Sequence, residues 1–223
     1  MPLRVIGDVH AQFDFSLDKQ RSTYKEIVAD SEFSVQIGDM GDGETYRQLE
    51  EHIDPELHRF FAGNHDHYPY LPPHALGDFG SKSHGEVDFF FVRGARSGDK
   101  NKLIELGKKL EKTLWFPEEQ LPLNSHDSII AEYLQSKPDV VLSHTCPASI
   151  VDMIRRYVAG RSRFKTSMEN REPSDTEVLL QRMLESHRPK LWCFGHFHHD
   201  WRYLENDTEF RCIGELSYLD LPL

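Results

Sequence analysis

The sequence predicts an α/β fold, and three observations carry that reading. Apolar, strand-like runs alternate with helical segments through the first half of the chain; clusters of Asp, His and Asn follow directly on five such runs; and an aromatic stretch, Glu86 to Arg93, supplies a second sheet. A chain of 223 residues fits one domain with a substantial core, so residues 1–223 are expected to form a single domain.

The elements follow in order. Leu3-Arg4-Val5-Ile6, Phe33 to Ile37, Arg59 to Ala62, Val140-Val141-Leu142 and Leu191 to Phe194 read as strands. After them come Asp8-Val9-His10, Gly38-Asp39, Gly63-Asn64-His65-Asp66, Ser143-His144 and Gly195-His196-Phe197-His198. Ligands bind beyond the carboxyl ends of strands in open α/β sheets, so all five clusters are expected at one sheet edge. Ser16 to Ala29 has helical character, and Glu44 to His52 reads as a short helix. Around the Glu86 to Arg93 strand, Gly77 to Gly85 and Gly94 to Asn101 read as loops. Its triple Phe89-Phe90-Phe91 is expected in the sheet core rather than as a base-stacking platform.

Further on, Leu103 to Thr113, Ser125 to Gln135 and Pro147 to Tyr157 are expected helices, with a short helical turn at Pro117-Glu118-Glu119. Gly160 to Arg171 is polar and basic, a solvated loop or a cationic lid over substrate. The helix Ser174 to His187 opens on a capping-box pattern, Ser174 to Glu177. Two strands, Trp201 to Leu204 and Glu209 to Ile213, close the chain around a hairpin at Glu205 to Thr208.

Composition narrows the function classes. The formal net charge of −11 disfavours long polyanions as bulk partners, so nucleic acid is open but not favoured. Cys146, Cys193 and Cys212 show no paired spacing and lie in or beside apolar runs, which predicts reduced, packed thiols. No apolar stretch approaches the length of a membrane span, and Met1-Pro2-Leu3 runs straight into a strand without a leader. A cytoplasmic protein with no membrane partner is expected.

Seven of the clustered side chains, Asp8, His10, Asp39, Asn64, His144, His196 and His198, are types that bind divalent metals. Alternate residues of an extended segment point the same way, so Asp8 and His10 can grip one ion. A carboxylate such as Asp39 can bridge two ions about 3.5–4 Å apart, the arrangement that clamps a reacting phosphoryl group. Two dications against Asp8 and Asp39 leave a local charge of about +2, which attracts phosphate.

Asp8-x-His10, Gly38-Asp39-x-x-Asp42, Gly63-Asn64-His65-Asp66, His144 and Gly195-His196-x-His198, in this order, resemble the calcineurin-like metallophosphoesterase superfamily. The resemblance implies a four-layer α/β/β/α sandwich of two mixed sheets flanked by helices. It implies one metal on Asp8, His10, Asp39 and His198, and a second on Asp39, Asn64, His144 and His196. It also implies phosphomonoester hydrolysis, with some phosphodiester activity, by in-line attack of a metal-bound hydroxide. His65 would be the general acid, with Asp66 orienting its ring. The ions would be Mn²⁺ in vitro, with Fe, Zn or Ni as other occupants; the substrate would be a phosphorylated small molecule or phosphoprotein.

Departures refine this. Asp42 is followed by Gly43-Glu44 rather than the Arg-Gly of protein serine/threonine phosphatases, so their phosphate-clamping arginine is missing. The chain looks more like the compact phosphoesterases of bacteria and phages. Arg93 and Arg96 are candidate replacements, because guanidinium forks match phosphate oxygens. Asp42 itself reads equally as ligand support or a solvated turn acid. Alternatives are a nuclease or cyclic-nucleotide phosphodiesterase and, in another class, a protein-binding scaffold such as the retromer subunit of this fold.

Overall fold

The computed structural model describes residues 2–72, 75–84, 86–159 and 171–222. In chain order the strands and helices are β1 (Leu3–Ile6), α1 (Tyr24–Ala29), β2 (Phe33–Gln36), α2 (Gly43–His52), β3 (His58–Phe60), β4 (Phe79–His84) and β5 (Val87–Val92). They continue with α3 (Lys100–Leu110), α4 (His126–Ser136), β6 (Val140–Ser143), α5 (Ala148–Ala159), α6 (Asp175–Ser186), β7 (Leu191–Phe194), β8 (Trp201–Glu205), β9 (Thr208–Cys212) and β10 (Tyr218–Leu221).

The strands form two mixed sheets, ordered β10-β1-β2-β3 and β4-β5-β6-β7-β9-β8. In the first, β1, β2 and β3 run parallel and β10 closes the edge antiparallel, pairing Leu3 with Leu221 and Ile6 with Tyr218. In the second, β5, β6, β7 and β9 run parallel, with β4 and β8 antiparallel at the two edges.

Side-chain alternation sets the layering. Within β5, Phe89 and Phe91 point one way and join Leu3, Val5, Val35, Phe61, Leu142 and Cys193 in the core between the sheets. Phe90 and Val92 point the other way, against Ile129 and Tyr133 of α4, Ile154 of α5 and Leu180 and Met183 of α6. The outer face of the first sheet, including Ile6 and Phe60, packs on Tyr24, Ile27, Tyr46 and Leu49 of α1 and α2. Helices, sheet, sheet and helices therefore stack as the expected four layers. The three Phe of β5 are all buried core, so the stacking-platform reading of them falls.

Local chemistry explains three of the helix starts. Thr23 and Glu26 form a reciprocal capping box at α1, and Ser174 and Glu177 form the expected one at α6. Asp42 is the N-cap of α2, its Oδ1 accepting from the Thr45 backbone N–H at 3.2 Å. That settles its two readings in favour of a structural acid.

Four expectations are corrected. The helix expected over Ser16 to Ala29 is confined to Tyr24–Ala29, because Thr23 caps it there and the Leu17 N–H is taken by Gln12 Oε1. The Gly77 to Gly85 loop contains β4, an edge strand whose mostly exposed residues lack an apolar alternation. β10 had no sequence signal of its own. The clusters converge from the ends of two sheets rather than one, β1, β2 and β3 from the first and β6 and β7 from the second. Residues 160–170 of the Gly160 to Arg171 loop lie outside the described residues. Among the described residues, no helix is long and apolar enough to cross a membrane. Cys146, Cys193 and Cys212 are free and buried.

The inter-sheet layer is the fold's main joint, with Phe61 and Phe91 stacked at 5.6 Å between ring centroids. Phe91→Ala is expected to cost about 3–5 kcal/mol, read as a lower urea midpoint at unchanged m-value.

Candidate metal centre

Three of the five strand ends deliver side chains through an unusual backbone. His10, Asp39, His196 and His198 all adopt positive φ, at 49°, 59°, 66° and 56°. Such a conformation disfavours ordinary L residues and clusters at functional sites. Gly63 is required by close approach: a Cβ there would lie 2.3 Å from Asp39 Oδ1 and 2.6 Å from His144 Nε2.

One group of four donors results. Ligand atoms of Asp8, His10, Asp39 and His198 lie within 4.8 Å of one another. His10 Nε2 faces His198 Nε2 at 3.0 Å, and His198 Nε2 lies 3.0 Å from Asp8 Oδ2. Asp8 is fully buried and held by the His196 backbone N–H at 3.0 and 3.1 Å.

The remaining donors adjoin it. His144 Nε2 lies 3.0 Å from Asn64 Oδ1 and 3.3 Å from Asp39 Oδ1, while its Nδ1 faces the Ile37 carbonyl oxygen at 2.9 Å. The His144 and His196 rings meet edge to face at 5.2 Å. Asp39 stands between the two groups, and its Oδ2 is buried without a hydrogen-bond partner.

These features fit divalent metal. A buried carboxylate oxygen with no donor and imidazole nitrogens turned toward one another and toward carboxylates are costly unless a cation joins them. Carboxylate, amide and imidazole together suit Mn, Fe or Zn. The Ile37 carbonyl fixes His144 with Nδ1 as donor, leaving Nε2 for the ion.

Electrostatics agree. For His144, burial lowers the pKa, but the Asp39 carboxylate outweighs it and pushes the group up to about 9. His198 is likewise raised, burial opposing and the Asp8 hydrogen bond prevailing. His196 is depressed to about 3, first by burial and then by the neighbouring His144 charge. Asp39 lies well below the usual carboxylate range, because His144 overcomes the burial that would raise it.

His65 sits outside this group. It is exposed, its ring lies 5.6 Å from that of His10, and its backbone N–H donates to Asp39 Oδ1 at 2.7 Å. Asp66 does not orient that ring. Its fully buried carboxylate instead accepts from the Asp39 and Gly63 N–H groups at 2.8 and 2.7 Å, and from the Gly41 N–H and Tyr46 hydroxyl at 3.0 and 2.9 Å. Arg93 is also committed elsewhere. It is buried and donates to Asp78, to the Glu118 carbonyl oxygen and to the Tyr68 hydroxyl, at 2.5, 2.6 and 3.2 Å. Arg96 donates to the Glu172 carbonyl oxygen at 2.6 Å. The structure thus makes Arg93 a brace of loops rather than a phosphate clamp, while Arg96 is tied to the Glu172 carbonyl oxygen through one nitrogen.

Sequence reasoning passed over Tyr46, Ser97, Glu119 and Glu215. Glu215 Oε2 stands 4.0 Å from His198 Nδ1, and the others hold ligand loops or ligands. No spacing rule ties them to the motifs they support.

Two predictions follow from this geometry. In Asp66→Asn the amide offers two donors and one acceptor to four donors, so at least one backbone N–H is orphaned. The expected loss is about 1–3 kcal/mol, with weaker metal binding. If Asp66 served only the His65 ring, urea unfolding and metal titration would match wild type while the pH profile moved. The second concerns protons. At pH 7 His144, with a pKa of about 9, is protonated, and a metal needs its lone pair. Loading metal-stripped protein with Mn²⁺ is therefore expected to release protons, and affinity to rise with pH up to about 9. The same shift stabilises the metal-stripped fold fully below the ordinary value of 6.5, and that contribution fades as pH rises through about 9. Calorimetry in buffers of different ionisation enthalpy measures the release; none at pH 7 would contradict the assignment.

The chain is similar to several known proteins. A solved structure, the protein TT1561 of Thermus thermophilus, superposes with a TM-score of 0.50 at 12% identity, over 98% of this chain and 93% of that one. A phosphopantetheinyl hydrolase from Mycobacterium tuberculosis gives a TM-score of 0.48 at 14% identity, over 96% and 90%. A lariat debranching enzyme from Entamoeba histolytica is 31% identical over 94 residues, which are 40% of this chain and 26% of that protein. The matched stretch is thus about a quarter of that relative's length. The family model described as calcineurin-like phosphoesterase matches residues 1–200, and the chain belongs to that family.

Proposed function

We propose that this chain is a hydrolase of phosphate esters that uses two divalent metal ions within a single domain spanning residues 1–223. The observation that carries the reading is the convergence of Asp8, His10, Asp39 and His198 within 4.8 Å, with Asp39 shared toward Asn64 and His144. When bound, the ions would supply Lewis-acid polarisation of the phosphoryl oxygens and bring the pKa of water toward about 7. Mn²⁺ is the proposed ion for activity in vitro. The first would be held by Asp8, His10, Asp39 and His198, the second by Asp39, Asn64, His144 and His196.

The chain's own contribution is orientation and proton transfer. Asp8 and Asp39 are fixed by backbone N–H groups before any ligand arrives, so the site needs little rearrangement to bind one. His65, exposed beside His10 and outside the ligand set, passes a ring proton to the leaving oxygen as the P–O bond breaks. The rings of His67, Tyr70 and Phe116, with separations of 4.7 and 5.0 Å, form an aromatic group that begins two residues after His65.

Phosphomonoesters are the leading substrate class. A phosphodiester in nucleic acid is a second reading, supported by the similarity to an enzyme named for debranching lariats and by the exposed Tyr70 ring beside His67. The scaffold alternative is disfavoured because all seven ligand positions and His65 are filled.

Metal-stripped protein titrated with Mn²⁺ is expected to hydrolyse an aryl phosphate monoester, and the rate against a bis-aryl diester separates the two readings. Asp39→Asn should lose metal and activity together. His65→Gln should keep both ions while turnover falls by roughly 10²–10⁴. Unchanged turnover in that variant would remove His65 from the mechanism.

A further inference from the structure

Asn64 presents a problem that the carboxylate ligands do not. Its amide carries an oxygen that can bind a cation and an NH₂ that cannot, and either can face the site by a simple flip. The structure contains a buried device that fixes the choice. Asn64 Nδ2 donates to Ser97 Oγ at 3.2 Å, and Ser97 Oγ donates to Glu119 Oε2 at 2.5 Å. The Ser97 backbone N–H donates to the other oxygen, Glu119 Oε1, at 3.1 Å. Asn64, Ser97 and Glu119 are 2%, 5% and 1% exposed, so water does not compete.

The direction of each bond follows from valence. As a carboxylate Glu119 only accepts, so the Ser97 hydroxyl spends its single proton on it. Ser97 then has only lone pairs for Asn64, which can be answered only by the NH₂. Asn64 Oδ1 is therefore turned to the other side, where it lies 3.0 Å from His144 Nε2. We infer that Ser97 and Glu119 are positioning residues that set the amide of Asn64 oxygen-first toward the second metal position.

The anchor of this relay is itself held in place. Glu119 ends the helical turn Pro117–Glu119, which Arg93 grips through the Glu118 carbonyl oxygen. Gly94, at φ +82°, lets the Glu119 carbonyl oxygen pass where a Cβ would stand 2.2 Å from it. Arg93 and Gly94 thus deliver Glu119 to Ser97, a use for that arginine beyond any contact with substrate.

The inference rests on the proposed reading of Asn64 as a ligand, and the test separates the two. Metal-stripped wild type, Ser97→Ala and Ser97→Thr are titrated with Mn²⁺ by calorimetry, and electron paramagnetic resonance follows the spin-coupled pair. In Ser97→Ala the affinity for one ion is expected to fall about 10–100-fold with the other unchanged, and the coupled signal to weaken. Ser97→Thr keeps the hydroxyl and should restore both, and the thermal midpoint of the metal-stripped protein should stay close to wild type.

A second variant guards against a merely structural effect. In Asn64→Asp the two outer oxygens are equivalent and no flip exists, so adding Ser97→Ala should cost no further affinity. Two ions bound alike by wild type and Ser97→Ala would overturn the relay, as would an equal further loss in the Asn64→Asp background. Failure of wild type to bind a pair of ions would overturn the parent reading and the relay with it.

Discussion

The site depends first on one buried carboxylate that is not a ligand. Asp66 gathers the Asp39 and Gly63 N–H groups on one oxygen and the Gly41 N–H and Tyr46 hydroxyl on the other. These donors belong to the loop after β2, the loop after β3 and helix α2, which without Asp66 would have no common acceptor. A carboxylate accepting several N–H bonds is among the stronger polar contacts available in an interior. Burial, and then the charge of Asp39, nonetheless raise its pKa, so its four donors work against a real electrostatic cost. The result is that Asp39 is aimed by its backbone and left free at Oδ2.

Charge balance explains why such a site can exist in an acidic protein. Asp8, Asp39 and Asp66 are all buried, and no lysine or arginine neutralises them among the contacts described. The histidines take that part. His144 is driven up by Asp39, and its charge then helps hold its neighbour His196 near a pKa of 3. Two adjacent imidazoles are thus split into one protonated and one neutral ring, the coupling expected when like charges share a small volume. A divalent ion held by His144 would displace the proton that Asp39 keeps there.

Much of this was legible in the sequence, and the rest was hidden for physical reasons. β1, β2, β6 and β7 announced themselves because a buried parallel strand must be a short apolar run, and each was followed by an Asp or His. Periodicity carries no information about which sheet a run joins, so the convergence of two sheet edges was invisible in the clusters themselves. β4 (FGSKSH) and β10 (YLDL) are edge strands, where only one neighbour pairs and apolar residues are not demanded. The candidate donors Asp8, His10, Asp39 and His198 were readable from motif order, but the duties of Asp66, Arg93, Ser97 and Glu119 were not. Those duties are set by what lies across the fold: Arg93 meets Asp78 and Glu118, and Ser97 meets Glu119 twenty-two residues away.

Positive φ at His10, Asp39, His196 and His198 adds a further constraint on how the fold divides its labour. Each such residue costs on the order of 1 kcal/mol or more relative to ordinary backbone, so the centre is a locally destabilised patch. It survives because the strands behind it end in two dry cores, one between the sheets and one beneath α4, α5 and α6, which fix the strand ends independently of the loops. Strength in the layers and strain at the rim are therefore parts of one arrangement. Ordinary backbone at His10, Asp39, His196 and His198 would aim these four side chains along other directions.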